Sequence, residues 1–299
     1  MAAEPISVVI AGAGALGRAL GALLCHGGAR VCLLGRGQRA TAAHGPADLV
    51  LLTAKSYDTE AALAAAAAAV GERTVVATLQ NGLGNAERIA ARFGGERTAA
   101  GATTHAAQRT SGGAVLHTAR GPTALAPWAP AGRARLAEVV EALGRAGLQV
   151  VLEDDPVRLL WRKLVVASGI LPVTALLGLP NGALAVPGPA QELALAAAAE
   201  AARVAEASGI MLDLDPSRAL IEVAQRTAAN RSSMLQDLQA RRRTEIDAIA
   251  GAVVAAAGRS GVAAEIQRAL WLLVRARERA DEQGGAATGA AAPLPGGQA

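Results

Sequence analysis

The sequence predicts an α/β domain with a parallel sheet, followed by a domain made only of helices. Three observations predict this architecture. Short aliphatic runs alternate with helical segments up to residue 155, strand signals stop from about residue 156, and a glycine-rich turn joins the first strand to the first helix. Alternation of this kind is typical of βαβ units with parallel strands. We therefore expect an α/β domain over residues 1–155 and an all-α domain over 156–282, with a disordered Gly/Ala/Pro-rich tail over 283–299.

The glycine-rich turn predicts a dinucleotide site. The strand ISVVIAG (6–12) runs directly into an amphipathic helix, and Gly12, Gly14 and Gly17 fit the pattern G-x-G-x-x-G between them. The first glycine permits the tight turn, the second lets a pyrophosphate approach the backbone, and the third lets helix and strand pack closely. Free N–H groups at the helix start then favour phosphate. We expect a Rossmann-type site in which the cofactor contacts Gly12, Gly14, Ala15, Leu16 and Gly17.

The end of the second strand bears on the choice of cofactor. NAD enzymes usually carry Asp or Glu there, whereas an arginine accommodates the 2′-phosphate of NADP. Here the strand ARVCLLGR (29–36) continues into GRGQR (35–39) without any acid. The sequence therefore favours NADPH with Arg36 as the phosphate ligand. The alternative is that Arg36 only ends the strand.

Further strands and helices complete the first domain. Lys55 and QNG (80–82) fall at the carboxyl ends of predicted strands, where ligands of such sheets lie. A turn near Gly121 separates two later strands. The predicted strands are 48–55, 74–82 and 97–107, with helices at about 58–70, 83–92 and 132–147 and a closing strand within 148–155.

The second half carries a conspicuous acid. Thr244, followed three residues later by Asp247, resembles a capping box and would make Glu245 the first residue of a helix. An acid in a first turn stabilises an exposed helix by about 0.3–1 kcal/mol, so Glu245 taken alone is better explained by structure than by catalysis. The predicted helices are about 156–170, 189–208, 216–228, 232–240, 244–259 and 263–282.

A lysine in an apolar stretch, Lys163, is the second candidate for a catalytic residue. The chain has 29 basic residues, of which only Lys55 and Lys163 are lysines. Lys163 lies in LLWRKLVVASGILP (159–172). A desolvated lysine can release a proton near neutral pH, whereas arginine does not. Lys163 is therefore a candidate proton donor, and the alternative is a helix lysine whose stem lies on apolar surface.

Composition argues against several classes of protein. The mean hydropathy of +0.30 reflects alanine, and apolar runs such as 61–70 are shorter than the roughly 20 residues of a bilayer span. The N-terminus resembles no signal peptide. The cluster RRR (241–243) lacks aromatic neighbours for base stacking, so we expect a solvated helix end and no nucleic-acid partner. Cys25 and Cys32 are expected as core residues of a reduced, cytoplasmic protein. The alanine-rich helices fit either the core of a monomer or a homodimer interface.

Eight ordered motifs resemble ketopantoate reductases (2-dehydropantoate 2-reductases) over nearly the whole chain, excluding the tail. The most specific are the last two, SSMLQD followed by TEID. The motifs are GAGALG (12–17), LLTAK (51–55), QNGLG (80–84), GATTHAA (101–107), LWRKL (160–164), LPNGAL (179–184), NRSSMLQD (230–237) and TEIDAIAG (244–251).

The resemblance implies a reaction and a role for each candidate residue. In such reductases hydride passes from NADPH to a 2-oxo acid, and a lysine protonates the developing alkoxide, in the synthesis of a coenzyme A precursor. That lysine would be Lys163, with Glu245 holding Lys163 or the substrate. Asn81 would contact the nicotinamide side and Lys55 would assist the cofactor. The remaining polar substrate contacts implied are Asn181, Asn230 and Ser233. No metal is implied.

Two departures from the family pattern concern the ligands. Where the family usually reads KLAVNCxxNPLTA, this chain reads KLVVASGILPVTA, so Ala167 and Leu171 replace two asparagines. A more apolar 2-oxo acid, or an imine, would suit these residues. Only eleven residues separate Arg36 from Asp48, which predicts a more open adenosine pocket. A catalytically weak dinucleotide-binding sensor is the alternative from another class, although such a protein needs neither Lys163 nor Glu245.

Overall fold

The computed structural model describes residues 4–110 and 112–288. Strands occupy the first half of the chain, as predicted. Within the described part they are β1 (Ser7–Ala11), β2 (Arg30–Leu34), β3 (Leu49–Leu52), β4 (Val75–Thr78), β5 (Thr98–Thr103), β6 (Ala106–Arg109), β7 (Val115–Ala119), β8 (Thr123–Pro127) and β9 (Val150–Leu152).

The main sheet has the order β2-β1-β3-β4-β5-β8-β9. Strands β1 to β5 are parallel, which confirms the predicted Rossmann-type sheet. Strand β8 is antiparallel to β5, and β9 is parallel to β8, so the last two strands run against the other five. The direction changes because β5 is followed by a hairpin, β6–β7, and a parallel neighbour would need a longer crossover. The predicted strand 97–107 is accordingly divided between two sheets.

The helices are distributed over both halves. Those of the first half are α1 (Ala15–His26), α2 (Thr59–Ala66), α3 (Asn85–Phe93) and α4 (Arg133–Arg145). Those of the second half are α5 (Pro156–Leu177), α6 (Pro189–Ala207), α7 (Pro216–Arg226), α8 (Ser233–Gln239), α9 (Ala250–Ser260) and α10 (Glu265–Thr288).

Alternate side chains of β1 belong to two different hydrophobic cores, one on each face of the sheet. Val8 and Ile10 belong to the core shared with α1 and α4, whereas Val9 and Ala11 belong to the core shared with α2 and α3. Successive side chains of a strand point to opposite faces, so a strand covered on both sides is apolar throughout. Because β1 to β5 are parallel, their carboxyl ends lie at one edge of this covered sheet.

Helix α5 is the central element of the helical half, and α6 packs closely along it. The alanines of α6 face this core, and Ala194, Ala197 and Ala201 are completely buried. A Cβ added at Gly169 of α5 would lie 2.6 Å from the carbonyl oxygen of Ala194, so only small residues allow this approach. These alanines are therefore core residues rather than an exposed interface.

Helix α5 is longer than predicted. It continues through Pro172 to Leu177 rather than ending near residue 170, although a proline cannot donate to the carbonyl four residues earlier. Burial of Pro172, Val173 and Thr174 stabilises the continuation. By length and composition α5 could cross a membrane, but 67% of that window is buried inside the protein, as in many core helices. The expectation that apolar runs are too short for a bilayer span does not hold for α5, because its residues 164–177 contain no charged side chain.

Two other helix bounds differ from the prediction. Helix α9 begins at Ala250 rather than at residue 244, so Glu245 lies in a turn before the helix and is not its first residue. Helix α10 continues to Thr288, six residues into the predicted disordered tail, and residues 289–299 lie outside the described part of the chain. The predicted domain limit between 155 and 156 falls in the link between β9 and α5, and it stays a prediction.

The cysteines are free, but they are not both core residues. Cys25 is exposed on α1 and Cys32 is half-buried on β2. The prediction of a buried Cys25 is wrong, because this residue falls on the solvent side of an otherwise apolar helix.

Candidate active site

A cleft of about 2540 Å³ lies between the two halves. The carboxyl ends of the parallel strands form one wall, and α5, α7 and α8 form the other. Its volume exceeds that of an ordinary ligand pocket, so it has room for a dinucleotide together with a small acid. Every candidate residue except Gly17 lines it: Gly12, Gly14, Ala15, Leu16, Arg36, Lys55, Asn81, Lys163, Asn181, Asn230, Ser233 and Glu245.

The glycine-rich turn has the geometry of a phosphate cradle. Gly12 has φ 133°, and an added Cβ would collide with the backbone of Thr53 and Ala54. Gly17 lies behind the cleft, where an added Cβ would overlap the carbonyl oxygen of Gly12, so this position requires glycine. Gly14, at the N-terminus of α1, has nothing within 4 Å of an added Cβ. The open side of the turn therefore faces the cleft, and it fits a pyrophosphate at a helix N-terminus.

Two arginines that no sequence motif indicated flank this turn. Arg18 Nε donates to the carbonyl oxygen of Ala13 at 3.0 Å, and Arg109 Nη2 donates to the same atom at 3.3 Å. Arg109 arrives from the β6–β7 hairpin, which packs on α1. Both guanidinium groups are exposed beside the cradle, where they add positive charge for an anionic ligand.

Arg36 lies at the rim of the cleft, at the end of β2. Its side chain is 90% exposed, and Nη2 is 3.3 Å from Oδ2 of Asp58. Exposed pairs of this kind are weak, so the guanidinium is available to a ligand. The short segment that follows packs against α2: Ala40 donates its backbone N–H to the carbonyl of Ala65 at 2.8 Å. The predicted openness of the adenosine pocket stays a prediction.

Lys55 is engaged by two carboxylates from the helical half. Its Nζ lies 2.5 Å from Oδ2 of Asp237 and 3.4 Å from Oε2 of Glu245. Burial disfavours the ammonium, but attraction to Glu245 and then to Asp237 outweighs burial and raises the pKa of Lys55. Asp237 is almost completely buried, and its Oδ1 accepts hydrogen bonds from Arg242 Nε at 3.2 Å and Nη2 at 3.1 Å. Lys55 is therefore a cation held in place.

Glu245 joins the two halves at the base of the cleft. Its Oε1 accepts the backbone N–H of Ser56 at 3.0 Å, and its Oε2 accepts from Asn81 Nδ2 at 3.2 Å as well as from Lys55. The carboxylate is 6% exposed. The helix-start explanation of Glu245 is wrong, since its side-chain partners Lys55, Ser56 and Asn81 belong to the first half of the chain. Asn81, predicted to contact the nicotinamide side, donates to Glu245 in this structure.

Lys163 differs from Lys55 in having no ion-pair or hydrogen-bond partner among the residues that the structure describes. It is half-buried on the cleft face of α5. Burial lowers the pKa of Lys163 to about 8, and the attraction of Glu245 only partly opposes this effect. Of the two cleft lysines, Lys55 is therefore paired with carboxylates, whereas Lys163 has a lowered pKa.

The wall of α5 beside Lys163 is apolar. Val166, Ala167, Ile170 and Leu171 lie three, four, seven and eight residues after Lys163, on one face of the helix, and all four line the cleft. The two residues that replace the asparagines of the family pattern therefore face the space where a substrate would lie.

The three polar substrate candidates differ in accessibility. Asn181 is 8% exposed and donates from Nδ2 to Thr227 Oγ1 at 2.9 Å, while its Oδ1 is buried and has no partner in the described part of the chain. Its backbone N–H donates to the carbonyl of Asn230 at 2.9 Å. Ser232 caps α8, which leaves Ser233 half-buried at the cleft. Asn230 and Ser233 thus reach the cleft directly, whereas Asn181 would have to reorient.

The three arginines of the RRR cluster are exposed, as the sequence predicted, but they follow a helix rather than belong to its last turn. Helix α8 ends at Gln239, before the cluster. Arg242 binds Asp237, and the guanidinium of Arg243 lies 4.8 Å from the centre of the Tyr57 ring and 3.2 Å from Asp247. Of these contacts, the one between Arg243 and Tyr57 joins the two halves.

Sequence profiles of ketopantoate reductases match most of the chain. The profile "Ketopantoate reductase PanE/ApbA" matches residues 39–130, and "Ketopantoate reductase PanE/ApbA C terminal" matches residues 155–278. Among curated proteins, the 2-dehydropantoate 2-reductase of Halobacterium salinarum is 37% identical over 303 residues, covering 91% of this chain and 99% of the relative. The enzyme of the same name from Pyrococcus horikoshii is 34% identical over 298 residues, with 91% and 98% covered.

Solved structures show the same fold. The 2-dehydropantoate 2-reductase of Geobacter metallireducens superimposes with a TM-score of 0.82 at 28% identity, covering 90% of this chain and 99% of that one. A D-mandelate dehydrogenase in complex with NADH has a TM-score of 0.80 at 26% identity, with 91% and 99% covered. The fold is therefore shared by proteins described as acting on different substrates.

Proposed function

Because this chain belongs to the ketopantoate reductase family, we propose that it reduces 2-dehydropantoate (ketopantoate) to pantoate with NADPH, and that Lys163 is the general acid. The observation that carries this proposal is the ammonium of Lys163 in the cleft, which has no ion-pair partner among the described residues and a pKa lowered to about 8. The other cleft lysine, Lys55, is held by Asp237 and is unsuited to donate a proton. Such an enzyme would act in the synthesis of a coenzyme A precursor.

NADPH, when bound, supplies the hydride for the C2 carbonyl of the 2-oxo acid. Lys163 Nζ donates a proton to the alkoxide oxygen that forms there, and its positive charge stabilises that oxygen before the transfer. Glu245 favours the protonated form of Lys163 and fixes Asn81 and the backbone of Ser56 around the site. Asn230 and Ser233 bind the polar groups of the acid, and Asn181 joins them after reorienting.

The proposed preference for NADPH over NADH depends on Arg36, at the rim of the cleft. The glycine-rich turn fits either dinucleotide, because both carry the pyrophosphate. Arg36 lies at the end of β2, where the ribose is expected, and no acid follows it to bind a free 2′-hydroxyl. Since a 2′-phosphate pairs with a guanidinium and a 2′-hydroxyl does not, we assign NADPH.

Arg36→Ala is expected to weaken NADPH binding about tenfold while leaving NADH binding within twofold, since one charge-assisted hydrogen bond contributes about 1.5 kcal/mol. Titration of the protein's fluorescence with each cofactor measures both dissociation constants. Arg30→Ala is the matched control, because Arg30 is an exposed arginine at the opposite end of β2. Equal weakening of NADPH and NADH, or tighter binding of NADH than NADPH by the wild type, would contradict the assignment.

A second candidate substrate is a more apolar 2-oxo acid. Ala167 and Leu171 line the cleft where the family pattern has asparagines, so a hydroxyl of ketopantoate would lose two hydrogen-bond partners, each worth about 0.5–1.5 kcal/mol. An imine of similar shape is a further variant of this candidate. Both keep Lys163 as the proton donor.

One experiment separates these candidates. NADPH oxidation is followed with ketopantoate and with 2-oxo acids that have branched aliphatic or aromatic side chains. We expect the largest kcat/KM for ketopantoate. A preference of tenfold or more for an apolar acid would replace the substrate and keep the mechanism. Tight NADPH binding without turnover of any acid would indicate the dinucleotide-binding sensor instead.

Location and assembly follow from the same proposal. A biosynthetic reductase that uses NADPH fits the cytoplasm, and the two free cysteines are consistent with a reduced compartment. The protein is proposed to act as a monomer or a homodimer, without a metal and without nucleic-acid or membrane partners.

A further inference from the structure

Two lysines compete for one carboxylate in the cleft. Glu245 attracts the ammonium groups of both Lys55 and Lys163. Lys55 is close enough to Glu245 for an ion pair, at 3.4 Å, but lies nearer to Asp237, at 2.5 Å. The position of Lys55 between these two carboxylates therefore decides how much of the charge of Glu245 acts on Lys163.

We propose that Asp237 is a positioning residue that holds Lys55 so that the carboxylate of Glu245 remains available to Lys163. The proposal rests on the general-acid role assigned to Lys163. Asp237 needs no contact with substrate or cofactor for this effect, because it acts through Lys55 and Glu245.

The surroundings of Asp237 suit this role. Its side chain is 3% exposed, so water screens its attraction to Lys55 only weakly. Arg242 donates two hydrogen bonds, from Nε and Nη2, to the other carboxylate oxygen of Asp237. These bonds fix the orientation of the carboxylate. The charge-assisted contact with Lys55 links residues 182 positions apart, one in each half of the molecule. Asp237 thereby sets the orientation of Lys55 and limits how closely the Lys55 ammonium pairs with Glu245.

The consequence of losing this carboxylate follows from electrostatics. The charged and titratable groups that act on Lys55 are Glu245, Asp237 and Tyr57, and for Lys163 the acting charge is Glu245. Without the charge of Asp237, Lys55 retains Glu245 as its carboxylate partner and moves toward it. Glu245 is then neutralised by Lys55 and stabilises the ammonium of Lys163 less, so Lys163 deprotonates at lower pH.

The pH dependence of kcat/KM for reduction tests the proposal. In the Asp237→Asn variant we expect the alkaline limb, where activity falls as Lys163 loses its proton, to move down by about one pH unit. A role of Asp237 in stability or cofactor binding alone would lower kcat/KM at every pH and leave the limb in place. An unmoved limb in a variant that binds NADPH overturns the proposal.

A double-mutant cycle shows whether the effect passes through Lys55. Lys55→Met removes the ammonium that competes with Lys163 for Glu245, so the alkaline limb of kcat/KM should move to higher pH. Adding Asp237→Asn to Lys55→Met should not move this limb further. The Lys55→Met variant also tests the proposal if Asp237→Asn alone does not fold, since an unmoved alkaline limb in Lys55→Met overturns it. Asp247→Asn is the matched control, because this carboxylate, in the turn before α9, binds Arg275 and Trp271 instead. The alkaline limb of this variant should stay at the wild-type pH.

Failure of the general-acid assignment would look different. If Lys163→Arg keeps the same alkaline limb, Lys163 is not the titrating acid, and the proposed mechanism fails together with the inference. If Lys163→Arg loses the limb while Asp237→Asn leaves it unmoved, only the positioning role of Asp237 fails.

Discussion

Lys163→Arg is expected to lower kcat for reduction by about 10²–10⁴ while changing NADPH affinity less than threefold, because a positioned general acid contributes this much and a guanidinium keeps the charge without releasing a proton. The ammonium lies in the cleft without an ion-pair partner in the described structure, so a substrate carbonyl is free to approach it. Steady-state and single-turnover rates with ketopantoate, or with whichever acid the wild type prefers, measure the loss.

Two further variants separate proton donation from charge and from folding. Lys163→Ala also removes the cation and should lose at least as much activity as Lys163→Arg. Arg158→Ala, about one and a half turns earlier on α5, removes a cation whose partner Asp213 is exposed, and it should retain wild-type kcat. Activity of Lys163→Arg within fivefold of wild type would rule out the general-acid role.

The wild-type pH profile follows from the same group. The pKa of Lys163 is lowered to about 8, and the protonated form is the active one in reduction. kcat/KM should therefore be constant below this pH and fall above it, since the fraction of protonated Lys163 decreases there. In the Lys163→Arg variant this decline should disappear from the residual activity.

Gly17→Ala is expected to destabilise the dinucleotide-binding half and to weaken NADPH binding at least tenfold. An added Cβ would overlap the carbonyl oxygen of Gly12 and approach Thr53 Oγ1 at 2.6 Å, and the overlapped atom is backbone that cannot rotate away. Overpacking of this kind costs about 1–3 kcal/mol, and the shift needed to relieve it would distort the phosphate cradle. Thermal unfolding should show a Tm several degrees lower.

Two neighbouring glycines serve as controls for packing and for ligand space. A Cβ at Gly21 of the same helix would make contacts of 3.4 Å with Ile10 and 3.7 Å with Val31, so Gly21→Ala should keep NADPH binding and gain up to about 1 kcal/mol from helix propensity. Gly14→Ala meets open space and should keep its Tm, yet it should weaken NADPH binding because the methyl group enters the cradle. Unchanged Tm and unchanged binding in Gly17→Ala would contradict the packing explanation.

The parts of the fold that depend on neighbours along the chain were predictable. The strand, the turn with Gly12 and Gly17 and the following helix form one continuous segment, and each glycine is required by atoms of that segment or of the adjoining strand end. The parallel order of β1 to β5 followed from alternation of strands and helices. The reversal at β8 did not, because a hairpin and a crossover have similar local patterns over 97–127.

Local patterns failed where tertiary contacts compete with them. Thr244 and Asp247 suggested a helix start, but in the fold Thr244 donates its backbone N–H to Glu278 at 2.6 Å and Asp247 binds Trp271 and Arg275. These partners lie on α10, 24 to 34 residues away, and they keep the segment in a turn. Pro172 is the converse case, since burial maintains a helix that the sequence alone would end.

The family, the two-part architecture and many of the residues that face the cleft were predictable from sequence, because they depend on motifs and periodicities that persist along the chain. Only the tertiary structure decided what each charge does. In the fold Asp237 holds Lys55, whereas burial lowers the pKa of Lys163 to about 8. Charge pairing and desolvation depend on which distant groups the fold brings together, and that arrangement cannot be read from neighbouring residues.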